Sequence, residues 1–244
     1  MKTALITGCN RGLGKQLLTD FAKEGYNIIA MIRSQNYEFD EYCNKLKKEC
    51  HITIYTVYAE FSSEESLSKC LDEIDDMNID IDVLVNNAGV NPSAKPIMLM
   101  DYKDVETAFR VNYFAPFYIT KRIVSGMIRA GKGTIIDITS TVSINAEPGE
   151  SAYGASKAAL NLSIKSIAQE LAPFNVRVNG IACGIMNTGM FQEFDDKLKK
   201  KFLKRVALKR AAELNEISAM ALFLASDNSS YITGAILKVD GGFV

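Results

Sequence analysis

The first fourteen residues combine a short apolar run with a glycine-rich turn. Residues 2–7 are apolar enough for a buried strand, and Gly8, Gly12 and Gly14 follow before helical periodicity begins at Leu17. A strand, a turn and a helix in this order present backbone N–H groups and the positive end of the helix dipole to a phosphate. The spacing is G-x-x-x-G-x-G rather than the G-x-G-x-x-G of the common dinucleotide fingerprint. We therefore predict an α/β fold and favour a dinucleotide site over a plain tight turn.

The second predicted strand, residues 27–32, bears on the choice of cofactor. It ends at Arg33 with no acidic residue at its tip. A carboxylate there would bind the ribose diol of NAD, whereas a guanidinium suits the 2′-phosphate of NADP. Arg11 in the glycine turn can close on the same phosphate. The alternative is that both arginines are simply solvated, and the balance favours NADP(H).

The rest of the chain alternates predicted helices and strands. We predict helices over 38–50, from a cap at 62–65 to about residue 77, over 101–128, and from the Tyr153 segment to about residue 171. Strands are predicted over 52–59, 82–85, 134–139 and 176–182, and the fourth strand stops abruptly at residues 86–89. No linker or repeat interrupts this alternation, which is typical of a parallel sheet flanked by helices. By its length the chain fits one large domain, residues 1–244, or two small ones.

Tyr153 and Lys157 are four residues apart in a helical pattern, so both lie on one helix face. A phenol has an ordinary pKa of about 10, and a nearby positive charge lowers it. Tyr153 is therefore a candidate general acid/base whose pKa is tuned by Lys157. The same spacing also occurs by chance on many solvated helices, so the interpretation depends on the rest of the chain.

Composition excludes several classes of function. The net charge of −1 gives no overall attraction to nucleic acid or anionic lipid, and no apolar run approaches the ~20 residues of a membrane span. The first seven residues do not resemble a signal peptide. Five scattered cysteines argue against a disulfide framework, so we expect a cytoplasmic protein. Cys50 beside His51, the single histidine, favours a structural thiol over a metal site, and we predict no metal.

Five separated motifs together resemble one family. They are Thr7-Gly8-x-x-x-Gly12-x-Gly14, Asn86-Asn87-Ala88-Gly89, Asn112, Ser140 and Tyr153-x-x-x-Lys157. In order and interval they are similar to those of the short-chain dehydrogenase/reductase family over essentially the whole chain. The resemblance implies a single doubly wound Rossmann-type domain with a seven-stranded parallel sheet.

The resemblance also implies a role for each motif residue. Ser140 would donate to a substrate carbonyl oxygen, and Tyr153 would protonate that oxygen as hydride arrives on the carbon. Lys157 would bind the nicotinamide ribose and lower the Tyr153 pKa, while Asn112 would hold a water that resupplies the proton. The residues expected to contact NADP(H) are Gly8, Asn10, Arg11, Gly12, Leu13, Gly14, Arg33, Glu60, Phe61, Asn87, Ala88, Gly89, Tyr153, Lys157, Gly184, Ile185 and Thr188.

Two positions depart from the family pattern. Glu60 stands where the family usually has an aspartate that binds the adenine amino group. Cys183 stands where the family has proline, and losing proline removes a fixed φ and returns an N–H, so the following loop is predicted to be looser. With no activating base nearby in sequence, Cys183 is interpreted as a small apolar filler rather than a nucleophile.

Within the family, the chain is most similar to the 3-oxoacyl-acyl-carrier-protein reductases of fatty acid biosynthesis. Arg129 matches one of their basic carrier-protein positions, whereas Phe174 replaces a second. That departure leaves open a keto-sugar or polyol oxidoreductase, and a non-catalytic cofactor-binding protein is a third interpretation. The resemblance further implies a homotetramer.

Substrate choice is expected from three irregular stretches, residues 91–96, 142–150 and 186–210. The last is the position of the family's substrate lid and contains a basic run over residues 197–205. Such a run is most often a solvated helix face. The alternative is a docking site for an acidic partner, such as an acyl carrier protein, or for a phosphorylated substrate.

Overall fold

Seven strands form one parallel sheet in the order β3-β2-β1-β4-β5-β6-β7. The computed structural model describes residues 1–92, 94–192 and 195–243. The strands are β1 (Thr3–Thr7), β2 (Asn27–Ile32), β3 (Ile54–Tyr58), β4 (Val83–Asn86), β5 (Gly133–Ser140), β6 (Val176–Cys183) and β7 (Ile236–Val239). β1 is buried along its whole length, which is why apolar residues follow one another without alternation. The prediction of a seven-stranded parallel sheet is confirmed.

Helices cover both faces of the sheet. They are α1 (Gly12–Lys23), α2 (Tyr37–Cys50), α3 (Glu64–Asp76), α4 (Tyr102–Phe109), α5 (Ala115–Ala130), α6 (Ser151–Leu171), α7 (Gly189–Gln192), α8 (Asp196–Lys204) and α9 (Leu214–Ala225). Apolar residues of α1, α2 and α9 share one core with one face of the sheet, and those of α3, α5 and α6 share a second core with the other. Two packed layers around a central sheet are what a doubly wound fold requires. Within the described residues, no helix combines the length and apolar composition needed to cross a membrane.

The predicted helix over residues 101–128 is not one regular helix. The structure divides it into α4, a wide π-helical turn at Arg110–Phe114, and α5. A π turn has i→i+5 hydrogen bonds and is often found at functional sites. The turn places Val111 and Asn112 in the interior.

The apolar stripe of α6 faces the sheet of its own chain. Leu160, Ile164 and Leu171 are buried, and Ile167 packs against the same core. The stripe therefore stabilises the Tyr153 helix against the sheet and is not an exposed surface.

The strand order reverses between β1 and β4, and in open parallel sheets ligands bind at the carboxyl ends of the strands near such a point. The glycine turn follows β1, residues 87–89 follow β4, and Ser140 ends β5. The topology thus brings three of the five sequence motifs to one edge of the sheet.

Candidate active site

Ser140 and Tyr153 lie side by side at the end of β5. The Ser140 Oγ accepts a hydrogen bond from the Val142 backbone at 3.2 Å. Burial raises the pKa of Tyr153 to about 12, although the nearby Ser140 hydroxyl lowers it. The phenol is therefore protonated at neutral pH and can act as a proton donor.

Lys157 lies one turn further along α6 and is buried. Its Nζ donates to the Ile138 backbone oxygen at 2.8 Å. Burial lowers the pKa of Lys157 to about 8, opposed by the negative charge of Asp137. Burial of the phenol dominates its pKa, and the ammonium bonds a strand carbonyl, so the effect of Lys157 on the Tyr153 pKa stays a prediction. An ammonium has three donors, so further N–H groups of Lys157 can bind a ribose.

Asn112 uses its side chain to join three elements. Its Oδ1 accepts from the Val90 N–H at 2.9 Å, and its Nδ2 donates to the Val90 oxygen at 2.8 Å and to Ser156 Oγ at 3.0 Å. Both amide N–H donors are thus occupied within the protein. The side chain fixes the segment after β4 against α6, and its role in holding a water stays a prediction. Ser156, which the sequence reasoning missed, lies between Tyr153 and Lys157.

Close backbone contacts explain the glycines after β1. A Cβ at Gly14 would lie 2.0 Å from the Gly8 backbone oxygen, and one at Gly8 would lie 3.0 Å from the Ala88 Cα. Gly8 also has a φ of +72°, which favours glycine. The turn is therefore packed directly on α1 and on the segment after β4, as a phosphate-binding cradle requires.

Thr7, the first residue of the first sequence motif, anchors the segment after β4, a role that the sequence analysis did not predict. Its Oγ1 accepts from the backbone N–H groups of both Asn87 and Ala88 at 2.9 Å, while the Asn87 Nδ2 donates back to the Thr7 oxygen at 2.8 Å. These bonds join the two glycine-containing segments into one unit. A hydroxyl residue at the end of β1, before Gly8, was the available signal.

The beginning of α1 suits an anionic ligand. Arg11 occupies the N-cap position without a side-chain hydrogen bond to the helix, and the first turn contains no acidic residue. Asn10, Arg11 and Gly12 are exposed, and Arg33 is exposed at the end of the neighbouring strand β2. Uncapped N–H groups, the helix dipole and two guanidinium groups fit the phosphates of a dinucleotide. Leu13 is instead buried in the core, so only its backbone is available to a ligand.

Two further residues predicted to contact the cofactor follow β3. The Glu60 carboxylate accepts from the backbone and the hydroxyl of Ser62, at 3.2 and 2.9 Å, so one of its oxygens is already engaged. The Phe61 side chain is buried in the core, which leaves its backbone for ligand contact. Contact of either residue with adenine stays a prediction.

Cys183, where the family has proline, is part of the sheet. Strand β6 extends through Cys183, which is paired with Ser140 on one side and Val239 on the other. The residue that replaces proline joins the sheet, and the looseness of the loop that follows it stays a prediction. Burial raises the pKa of the Cys183 thiol to about 12, which keeps it protonated and supports its interpretation as a filler.

The candidate residues beyond Cys183 are partly buried. Gly184 has no room for a side chain, since a Cβ would lie 2.7 Å from the Asp240 Cα. The Ile185 oxygen accepts from the Ala212 N–H at 2.9 Å, and Thr188 is half-buried. Their contact with a nicotinamide stays a prediction.

A buried polar cluster supports the site from inside the sheet. The Asn86 Nδ2 donates to the Asp137 carboxylate at 2.7 Å and to the Thr120 hydroxyl at 3.1 Å. Burial raises the pKa of Asp137 to about 6, although Asn86 and Lys157 lower it. Asp137 was missed because a carboxylate within an apolar strand has no recognisable spacing.

The three stretches predicted to choose the substrate contact one another. The Asn91 amide donates to the Glu150 carboxylate at 2.7 Å, and Arg205 pairs with Glu147 through two bonds of 2.8 and 2.5 Å. The Arg205 guanidinium also lies 4.4 Å from the centre of the Phe243 ring. Ser93, Glu193 and Phe194, within two of these stretches, and Val244 at the end of the predicted domain lie outside the described residues.

Comparison with known proteins identifies the family. A family model described as enoyl-(acyl carrier protein) reductase matches residues 8–244. The 3-oxoacyl-acyl-carrier-protein reductase FabG of Thermotoga maritima is 34% identical over 100% of this chain and 98% of its own length. Its counterpart from Chlamydia trachomatis is 35% identical over 99% of this chain and 96% of its own. A crystal structure of a candidate gluconate dehydrogenase from Agrobacterium tumefaciens has a TM-score of 0.92 and 28% identity, covering 99% of this chain and 95% of that one. The chain therefore belongs to the short-chain dehydrogenase/reductase family and is an oxidoreductase that uses a nicotinamide cofactor.

Proposed function

We propose that the protein is an NADPH-dependent carbonyl reductase that converts a 3-oxoacyl thioester to its 3-hydroxyacyl form. The observation that carries this proposal is the Ser140–Tyr153 pair at the carboxyl edge of the sheet, beside the glycine cradle. The relatives named as 3-oxoacyl-acyl-carrier-protein reductases support the choice of substrate.

The chain's own residues account for the proton. NADPH would supply the hydride that the carbonyl carbon accepts. Ser140 and Tyr153 direct two hydroxyl donors to the carbonyl oxygen, where negative charge develops. Tyr153 then gives its proton to that oxygen, a contribution typically worth ~10²–10⁴-fold in rate. Lys157, one turn along the same helix, would bind the nicotinamide ribose and, as a cation, would lower the pKa of the phenol.

The preference for NADPH rests on Arg11 and Arg33. Both are exposed at the carboxyl ends of the adjacent strands β1 and β2, and neither forms an ion pair within the described residues. They would bind the 2′-phosphate that distinguishes NADPH from NADH.

A keto-sugar or polyol is the second candidate substrate. The similarity to the candidate gluconate dehydrogenase favours it, since that structure covers almost the whole chain. The two candidates differ in substrate and share the proton donor.

The test compares NADPH and NADH oxidation with acetoacetyl thioester and with a panel of keto-sugars, for wild type and Tyr153→Phe. We expect thioester turnover with NADPH that falls at least ~10²-fold in the variant without loss of NADPH binding. If a keto-sugar is turned over faster than the acetoacetyl thioester, the substrate is assigned as a keto-sugar instead of a 3-oxoacyl thioester. NADPH binding with no turnover of any carbonyl would favour the non-catalytic interpretation.

We also propose that the protein is a cytoplasmic homotetramer. All five cysteines are free, which fits a reducing compartment. Phe114, Phe117 and Leu162 are exposed large apolar side chains in the π turn, α5 and α6. Such side chains are typical of surfaces that a second copy covers. A monomeric mass by light scattering at micromolar concentration would contradict the assembly.

A further inference from the structure

Helix α8 carries a row of four exposed lysines. Lys197, Lys200, Lys201 and Lys204 follow the i, i+3, i+4, i+7 pattern, so they share one helix face. Within the described residues, none of these four ammonium groups lies within ion-pair distance of a carboxylate. We call this set the lysine face.

The opposite side of α8 faces the rest of the protein. Leu198, Phe202 and Leu203 are partly buried, and the Lys199 ammonium donates to the Gln192 backbone oxygen at 2.7 Å. The acidic groups of this helix, Asp195 and Asp196, both stand at its N-terminal end, where Asp195 caps the helix by accepting from the Leu198 N–H. The remaining two turns therefore present only positive charge to solvent.

The C-terminal end of α8, next to the lysine face, contacts the segment that leads into the Tyr153 helix. Arg205, at the C-terminal end of α8, pairs with Glu147, and α6 begins four residues later at Ser151. A partner seated on α8 is thus close to the segment that leads into Tyr153.

We propose that the lysine face docks an acidic carrier protein that presents the thioester substrate. This inference rests on the proposed function, since it names the partner that delivers the substrate to that same site. Like charges at these spacings destabilise a helix, and carboxylates of a partner would relieve the repulsion. With a net charge of only −1, the chain attracts an acidic partner through a local patch and not through its overall charge.

The shape of the patch favours a protein over an extended polyanion. From Lys197 to Lys204 the row spans about 10 Å, or two helical turns, which matches one acidic helix of a small domain. Four lysines on one helix face are also a pattern that binds anionic lipid, so binding to vesicles is one of the outcomes tested below.

The experiment reverses two charges in the middle of the row. The variant carries Lys200→Glu and Lys201→Glu, and the control is Lys48→Glu, an exposed lysine of α2. For each protein, kcat/KM is measured with NADPH and an acetoacetyl group on acyl carrier protein or on N-acetylcysteamine, which lacks the carrier.

We expect the double variant to lose at least ~10-fold in kcat/KM on the carrier-bound substrate and nothing on the small thioester. Raising the salt concentration from 0.05 to 0.3 M should lower the wild-type rate on the carrier-bound substrate toward that of the variant. Lys48→Glu should behave as wild type on both substrates.

Three results would overturn the proposal. An unchanged rate on the carrier-bound substrate would remove the docking role, and an equal loss on both substrates would mean that the face only shapes the lid. The third result would assign the face to a membrane: wild type binds phosphatidylglycerol vesicles, the double variant does not, and the carrier kinetics are unchanged.

If wild type reduces neither thioester, the proposed function fails. Binding of labelled acyl carrier protein by fluorescence anisotropy then tests the docking on its own, and equal binding to wild type and variant would refute it.

Discussion

Gly14 offers the sharpest test of how the glycine cradle is built, because the same substitution elsewhere should have the opposite effect. A Cβ at Gly14 would stand 2.0 Å from the Gly8 oxygen, far closer than the 3.4 Å at which ordinary contact begins. At Gly126, in the middle of α5, the nearest atom to an added Cβ is an Arg129 nitrogen at 3.9 Å. Both glycines are helical, so their replacement by alanine gains the same intrinsic propensity of about 1 kcal/mol.

The magnitudes follow from these distances. For Gly126→Ala only the propensity counts, and the variant should be about 1 kcal/mol more stable than wild type. For Gly14→Ala the overlap with a backbone oxygen costs about 3 kcal/mol, the upper end for overpacking, which leaves a net loss of about 2 kcal/mol. In a chain of this size that loss lowers Tm by roughly 4–8 °C.

The assay is thermal unfolding followed by circular dichroism, with NADPH affinity measured in parallel. Because the Gly8 oxygen belongs to the turn that faces the phosphates, Gly14→Ala should also weaken NADPH binding, whereas Gly126→Ala should leave it unchanged. The reasoning is refuted if Gly14→Ala unfolds at the wild-type temperature and binds NADPH with wild-type affinity.

Three further predictions concern single side chains. Thr7→Val removes the acceptor of two backbone N–H groups, so it should cost at least about 2 kcal/mol in urea unfolding and weaken NADPH binding. The control Thr107→Val should change little, because the Thr107 hydroxyl only donates to the Lys103 carbonyl within its own helix. Burial raises the pKa of Asp137 from 3.8 to about 6, so the folded protein holds this proton more tightly than the unfolded chain does. The free energy of unfolding should therefore fall by about 3 kcal/mol as pH rises through about 4 to 6. Asp137→Asn keeps an oxygen for Asn86 and should lack that loss, so parallel pH profiles of urea unfolding for the two proteins would contradict the argument. Cys183→Ala should retain carbonyl reductase activity, and iodoacetamide should not inactivate wild type at pH 8, because the thiol is buried and protonated. Rapid inactivation that NADPH prevents would show instead that the thiol is reactive.

Much of the fold was predictable because its signals are local. The strands are continuous apolar runs, and Ser63 caps α3 as its sequence suggests, with its side chain accepting from the Ser66 N–H. The spacing of Tyr153 and Lys157 placed both on α6 correctly.

The contacts of the site were harder to predict because they depend on distant residues. Lys157 bonds Ile138, which is nineteen residues away, and Arg205 pairs with Glu147 across fifty-eight residues. Neither pairing leaves a pattern in a single sequence. The raised pKa of Tyr153 could not be predicted for a related reason, since burial of the phenol is a property of the assembled fold.

The π turn has a consequence for the arrangement of the two helices it joins. Ala108 in α4 and Met127 in α5 are both buried, although nineteen residues separate them. At about 100° per residue, nineteen α-helical steps overshoot five full turns by about 100°, so a regular helix would rotate one of the two out of the interior. A π turn accommodates about one extra residue, which cancels this rotation. The turn is thus equivalent to a one-residue insertion that leaves the angular phase of both helices unchanged. Deleting a single residue there, such as the exposed Arg110, should restore regular helix and keep both buried faces, while removing the wide turn that carries Asn112.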